Sequence, residues 1–205
     1  MAEENDRVPT KEEIEAEANK WSFDLQPFLD YMNPSSDWER IIRAHVYADF
    51  VLYTSLEEAF EQKDVFDADR LTFPQKLRLV CALGVIPRDA IGPFGALNRV
   101  RNGLVHRVDA PLSEKDKMDL RNSLPPRLHD AALSLANYDR DSPLSEPDFK
   151  NILITMVIDI EVARRRAKLA RLDLQRTLKK VRAFLTPESR QKGRAEGGLD
   201  SDPAD

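Results

Sequence analysis

From Asp148 to Leu185 the sequence reads as one long helix, and that stretch limits the fold more than any other. Its first half, Ile152 to Val162, is apolar on most sides, so other elements must surround it. Its second half changes character. Ile160, Ala163, Ala167, Ala170, Leu174, Thr177, Val181 and Phe184 recur at spacings of three and four, a heptad seam. The alanines of that seam predict close helix–helix contact, with intramolecular packing the expected use. Arg164, Arg165, Arg166, Lys168, Arg171, Arg176, Lys179, Lys180 and Arg182 cover the rest. They read as a solvated face or a docking surface for the acidic segment Glu12-Glu13-x-Glu15-x-Glu17. A grip on an RNA backbone is the other use, sequence-indifferent because no aromatics are interleaved for base stacking. Nothing in the chain alternates with period two, so the expected class is all-α.

The earlier helices carry local start and stop signals. Thr10 caps a first helix opening on Lys11-Glu12-Glu13, and Pro27 suggests a break near Gln26. Ser36-Asp37-Trp38-Glu39 is a capping box for a central helix reaching about Lys63. One stripe of that helix holds Trp38, Ile42, Val46, Tyr53, Leu56 and Phe60, with Ala44, Ala48 and Val51 opposite. Thr72, with Pro74 in the first turn, opens a helix that ends at Leu83 before Gly84. Gly92-Pro93 precedes a helix from about Phe94 to His106. Ser113 opens a short helix to Asn122, and Arg127 to Asn137 forms the next. Tyr138 to Pro147 reads as a loop.

Two hundred and five residues suffice for one domain with a core plus extensions. The chain is 41% hydrophobic and 33% charged, as expected of a globular protein. Its net charge of −5 exerts no global pull on nucleic acid, so any such binding needs a local basic surface. No helix-turn-helix pattern is evident, which argues against sequence-specific DNA binding. The lone Cys81 excludes an intramolecular disulfide and a multi-cysteine zinc site, and reads as a buried small hydrophobe. The acidic beginning has no apolar core of a signal peptide, and the longest apolar run is too short for a bilayer. A cytoplasmic protein with no membrane partner is the expectation.

The chemistry concentrates between Leu97 and Arg107. On a helix, Leu97, Val100, Leu104 and Val105 form an apolar stripe that includes Arg101. A guanidinium among apolar neighbours needs a partner, a subunit or a ligand. Asn102 and His106, one turn apart, share the neighbouring edge, and histidine titrates near neutral pH. Gly103 permits close approach of a second chain or a phosphate, or marks the fraying helix end. His45 and Asp49, four residues apart, are a second polar intrusion on an apolar face. Asp49 can raise the basicity of an imidazole, or pair with Arg101 and tie two helices together; the ion pair is the favoured reading. Three ligands without local spacing do not make a metal site, so no metal or cofactor is expected. His129, followed by Asp130, carries no functional expectation.

Arg101-Asn102-x-x-x-His106 resembles the R-N-x-x-x-H signature of the HEPN superfamily, small helical bundles that include metal-independent ribonucleases and toxins. The segment Lys76-Leu77-Arg78-Leu79-Val80-Cys81-Ala82-Leu83-Gly84-Val85-Ile86 is similar to the lead-in of its mannitol-repressor-like branch. The resemblance covers roughly residues 38–122. It implies that Arg101 neutralises charge on a pentacoordinate phosphate, His106 moves a proton at the ribose 2′-hydroxyl or the leaving 5′-oxygen, and Asn102 orients one of them. His45 and Asp49 would be supporting residues. It also implies a homodimer with two motifs facing across a cleft. The tyrosine that follows the histidine in one toxin branch is replaced here by Arg107-Val108.

The expected architecture is a HEPN-like up-and-down bundle with an N-terminal helical extension and a long C-terminal helix. Residues 1–9 and 186–205 are expected to be disordered around a single helical domain, 10–185. Its HEPN-like core covers about 36–137 and a packing helix covers 148–185. The expected function is dimeric RNA binding, with metal-independent endoribonuclease activity of toxin or defence type. Its partners would be a second copy, RNA, and an antitoxin or regulatory protein. The alternative is a non-catalytic interaction or regulatory module of the mannitol-repressor-like kind.

Overall fold

The structure, a computed structural model, describes residues 7–33, 36–60, 67–105, 112–138 and 141–185. These residues form an all-α bundle: α1 (Lys11–Ala18), α2 (Leu25–Met32), α3 (Asp37–Ala59), α4 (Phe73–Ala82), α5 (Ile91–Val105), α6 (Glu114–Asn122), α7 (Pro126–Asn137) and α8 (Phe149–Leu185). No strand occurs among the described residues. No helix is long and apolar enough to cross a membrane among them.

The caps explain the starts. The Thr10 N–H donates to Glu13 at 2.8 Å and its hydroxyl accepts from the Glu13 N–H. The Ser36 N–H donates to Glu39 at 2.9 Å, and the Thr72 N–H to Gln75 at 2.9 Å. Ser113 accepts from the Asp116 N–H. Each satisfies helix-end amides that would otherwise lack partners. Gly84, at φ 71°, ends α4 in the left-handed region. Two prolines sit differently from expectation. Pro27 and Pro93 lie within the first turns of α2 and α5, where the missing N–H has no intrahelical partner to lose. The break between α1 and α2 therefore falls at residues 19–24, not near Gln26.

The chain divides into two compact units, residues 1–19 with 169–205, and residues 20–168. In the larger unit α3, α4 and α5 pack on one another. Its core joins Phe28 and Met32 of α2, Ile41, Ala44, Ala48, Val51, Leu52 and Leu56 of α3, Phe94 and Leu97 of α5, and Ile152 to Ile160 of α8. The sequence stripe on α3 is thus placed on the wrong side in part. Leu56 is buried, but Trp38 is 52% and Val46 59% exposed. α3 is apolar over much of its circumference, and the small Ala44 and Ala48 let neighbouring helices approach that face. Cys81 is half-buried, its Sγ 3.7 Å from the Pro87 carbonyl.

Arg164 departs from the solvated face assigned to it. It is 2% exposed, and Glu161, one turn earlier, is fully buried. The guanidinium donates to Glu161 at 2.7 and 3.0 Å, to both Glu58 oxygens at 2.7 and 2.8 Å, and to the Lys20 carbonyl at 2.7 Å. Ser22 satisfies Glu161 further, through its N–H at 3.0 Å and its hydroxyl at 2.7 Å. Burial alone would weaken the protonated guanidinium, but Glu161 and then Glu58 more than offset it. A buried charge set of this kind is tolerable because every member is paired and hydrogen-bonded.

In the smaller unit the seam of α8 is not covered as expected. Ala170, Leu174, Thr177, Val181 and Phe184 are exposed. Glu12 of α1 is held below the ordinary carboxylate range by its helix N-terminal amide and by Thr10, and the charge of Arg176 adds to that.

Candidate functional site

Three helices place the polar residues. His45 and Asp49 lie one turn apart on α3, Phe73 and Lys76 one turn apart on α4, and Asn98, Arg101 and Asn102 on the second half of α5. His45 is 8% exposed, and its ring stacks on Phe73 with centroids 4.3 Å apart. Its Nε2 lies 3.0 Å from the Asn98 Oδ1. An amide oxygen only accepts, so Nε2 carries the proton and the neutral ring keeps its lone pair on Nδ1. Burial pushes the His45 imidazole below its ordinary value. The Asn98 bond acts in the opposite direction, Arg101 lowers it, Asp49 raises it and Lys76 lowers it. His45 is therefore a neutral imidazole at neutral pH, within the field of Arg101.

The expected pair between Asp49 and Arg101 is not formed. Asp49 Oδ2 accepts instead from Lys76 Nζ at 2.8 Å. Lys76 is 5% exposed and its ammonium also lies 5.9 Å from the centre of the Tyr53 ring. A buried ammonium needs a carboxylate more than a half-exposed guanidinium does, and α4 brings Lys76 to Asp49. Arg101 is half-buried and donates through Nη1 to Asn102 Oδ1 at 3.1 Å. No carboxylate pairs with it among the described residues.

The stripe around Arg101 is narrower than its sequence suggests. Leu97 is fully buried and Val100 and Leu104 pack partly on the core, but Val105 is 51% exposed. Among the described residues no atom lies within 4 Å of where a Cβ on Gly103 would stand, so their packing does not demand glycine there. His106, the third member of the motif, lies outside the described residues. The structure thus brings Arg101, Asn102, His45 and Asp49 into one region of α3 and α5.

Lys76, Asn98 and Phe73 belong to this region and were not singled out from sequence. A lysine within the apolar face Leu77-Leu79-Val80 was the available signal for the first. Asn98 had none, since asparagine on a helix usually faces water. A separate cleft of about 590 Å³ is lined by Arg121, His129, Asp130, Glu146 and the apolar Met118 and Leu124. There His129 Nε2 lies 3.1 Å from Glu146 Oε2. Among the described residues no group of three or more His, Cys, Asp or Glu could hold a metal ion. No protein-family model matches the chain, and neither does any curated protein or solved structure.

Proposed function

We propose that this chain is a HEPN-like, dimeric RNA-binding protein and a metal-independent endoribonuclease of toxin or defence type, acting through Arg101 and His106. The observation that carries the reading is the state of Arg101: a half-buried guanidinium without a carboxylate partner among the described residues, bonded to Asn102, beside a neutral imidazole. A phosphate diester is the anion such a group suits, because the planar fork meets two phosphate oxygens at once. In the reaction the ribose 2′-oxygen would form a bond to phosphorus as the bond to the 5′-oxygen breaks. One proton leaves the 2′-hydroxyl and one joins the departing oxygen. His106 would move one of these protons, and Arg101 would take the charge that builds on phosphorus.

The dimer is supported by α3. Trp38, Val46 and Phe50 are exposed along one side of the helix, and His45 and Asp49 lie on the border between that side and the buried arc. The same exposed strip also favours the second reading, a non-catalytic interaction or regulatory module.

Incubation of the full chain with a mixed RNA pool in EDTA separates them, run beside Arg101→Ala and His106→Ala with sedimentation of each protein. The enzyme reading expects cleavage by the unaltered chain and a loss of about 100-fold or more in both variants, which remain dimeric. Intact RNA with the unaltered chain, or cleavage that survives either substitution, overturns it in favour of the interaction module.

A further inference from the structure

The last three turns of α8 bear a surface that the RNA site does not use. Leu169 and Leu172 are half-buried on one side of the helix. On the other side Leu174 is 59%, Leu178 51%, Val181 49% and Leu185 55% exposed. The spacing of four, three and four sets these side chains in one stripe about 17 Å long. Isolated exposed leucines are ordinary, but four aligned ones at heptad spacing form a face.

The charge around the stripe says what suits it. Between residues 169 and 185 stand Arg171, Arg176, Lys179, Lys180 and Arg182, against the single acid Asp173, in a chain whose net charge is −5. Arg171 and Arg182 project about 50–70° from the stripe's centre at about 100° per residue, directly along one border. Neither they nor Lys180 forms an ion pair among the described residues. A second copy would set two such cationic helices side by side, where like charges repel. RNA would find cations but no aromatic platform, because the stripe is aliphatic. An anionic bilayer would meet Asp173 on the other border. An acidic helix satisfies both halves of the surface, its apolar face covering the stripe and its acidic flank meeting Arg171 and Arg182.

We infer that the stripe Leu174–Leu178–Val181–Leu185, with Arg171 and Arg182 beside it, docks an amphipathic helix of a partner protein whose flanks are acidic. The leucine and valine side chains fill the seam of the partner, and the cations meet its glutamates or aspartates. The contact is independent of Arg101.

The probe is a fluorescein-labelled 21-residue peptide with leucine at the a and d positions of three heptads and glutamate at e and g. It is titrated into the full-length chain at 50 mM salt and followed by anisotropy. The expected result is saturable binding that weakens about 10-fold in Leu178→Glu/Val181→Glu and about 3-fold or more on raising the salt to 300 mM. Both substituted side chains are exposed, and circular dichroism checks that the helices persist. Failure to bind, or binding unchanged by the double substitution, overturns the inference. So does equal binding of a peptide with lysine at e and g. Two further results also overturn it. One is loss of a dimer by the double variant without peptide, which assigns the stripe to a second copy. The other is sedimentation of the chain, but not the variant, with vesicles containing 30% phosphatidylserine, which assigns it to lipid.

Discussion

His45 shows how one side chain reports its surroundings. Buried against Phe73 and facing Arg101 and Lys76, it resists protonation in the folded chain. In the unfolded chain it titrates at an ordinary value of about 6.5. The folded value is lowered, so below about pH 6.5 the unfolded state binds the proton first and stability falls as pH falls, until the folded value is passed. Urea midpoints measured from pH 7.5 to 5 should therefore drop more steeply for the unaltered chain than for His45→Gln. Parallel curves would mean that His45 is solvated or paired differently. The neighbouring residues explain why the site was only partly legible. Arg101 stands as a half-buried cation that no carboxylate pairs with among the described residues. The sequence also offered it Asp49, but the choice between Arg101 and Lys76 as partner depends on where α4 sits. No periodicity within α3 encodes that.

At the scale of elements, the starts of helices were readable because caps are local. The Thr10, Ser36, Thr72 and Ser113 side chains each accept from an amide three residues on. Faces were less readable. A helix apolar on most sides, such as α3, carries no internal mark of which apolar side is covered. Prolines misled for a related reason: Pro27 marked no break, and Pro93 sits inside α5 rather than before it, since the first turn of a helix accepts proline. The buried set around Arg164 had one local clue, Glu161 three residues earlier, but its remaining partners come from Ser22, Lys20 and Glu58, far along the chain. Removing the cation leaves Glu161 buried with a formal charge and only Ser22 to bond it. Arg164→Ala should destabilise the chain by about 3–5 kcal/mol, and Arg182→Ala by less than about 0.5 kcal/mol. Thermal or urea unfolding checks both. Equal effects would contradict the burial of Arg164.

For the whole molecule, the all-α class followed from the absence of period-two alternation and from one long terminal helix, and the described residues agree with it. The exposed surfaces were harder to foresee. The apolar side of α3 and the distal part of the α8 seam were both expected to be packed, since hydrophobic periodicity reports a face without saying whether this chain or another molecule covers it. On the proposed reading these two faces and Arg101 would each serve another molecule: a second copy at α3, an acidic helix at the end of α8, and an anion at α5. The functional account depends on the last. Its most direct test is binding of a labelled single-stranded RNA to His106→Ala, with and without Arg101→Ala, over a salt series. The account predicts that loss of Arg101 weakens binding at least 10-fold and reduces the slope of log Kd against log salt by about 0.7, one phosphate contact. Equal affinity and equal slope in the two proteins would contradict it.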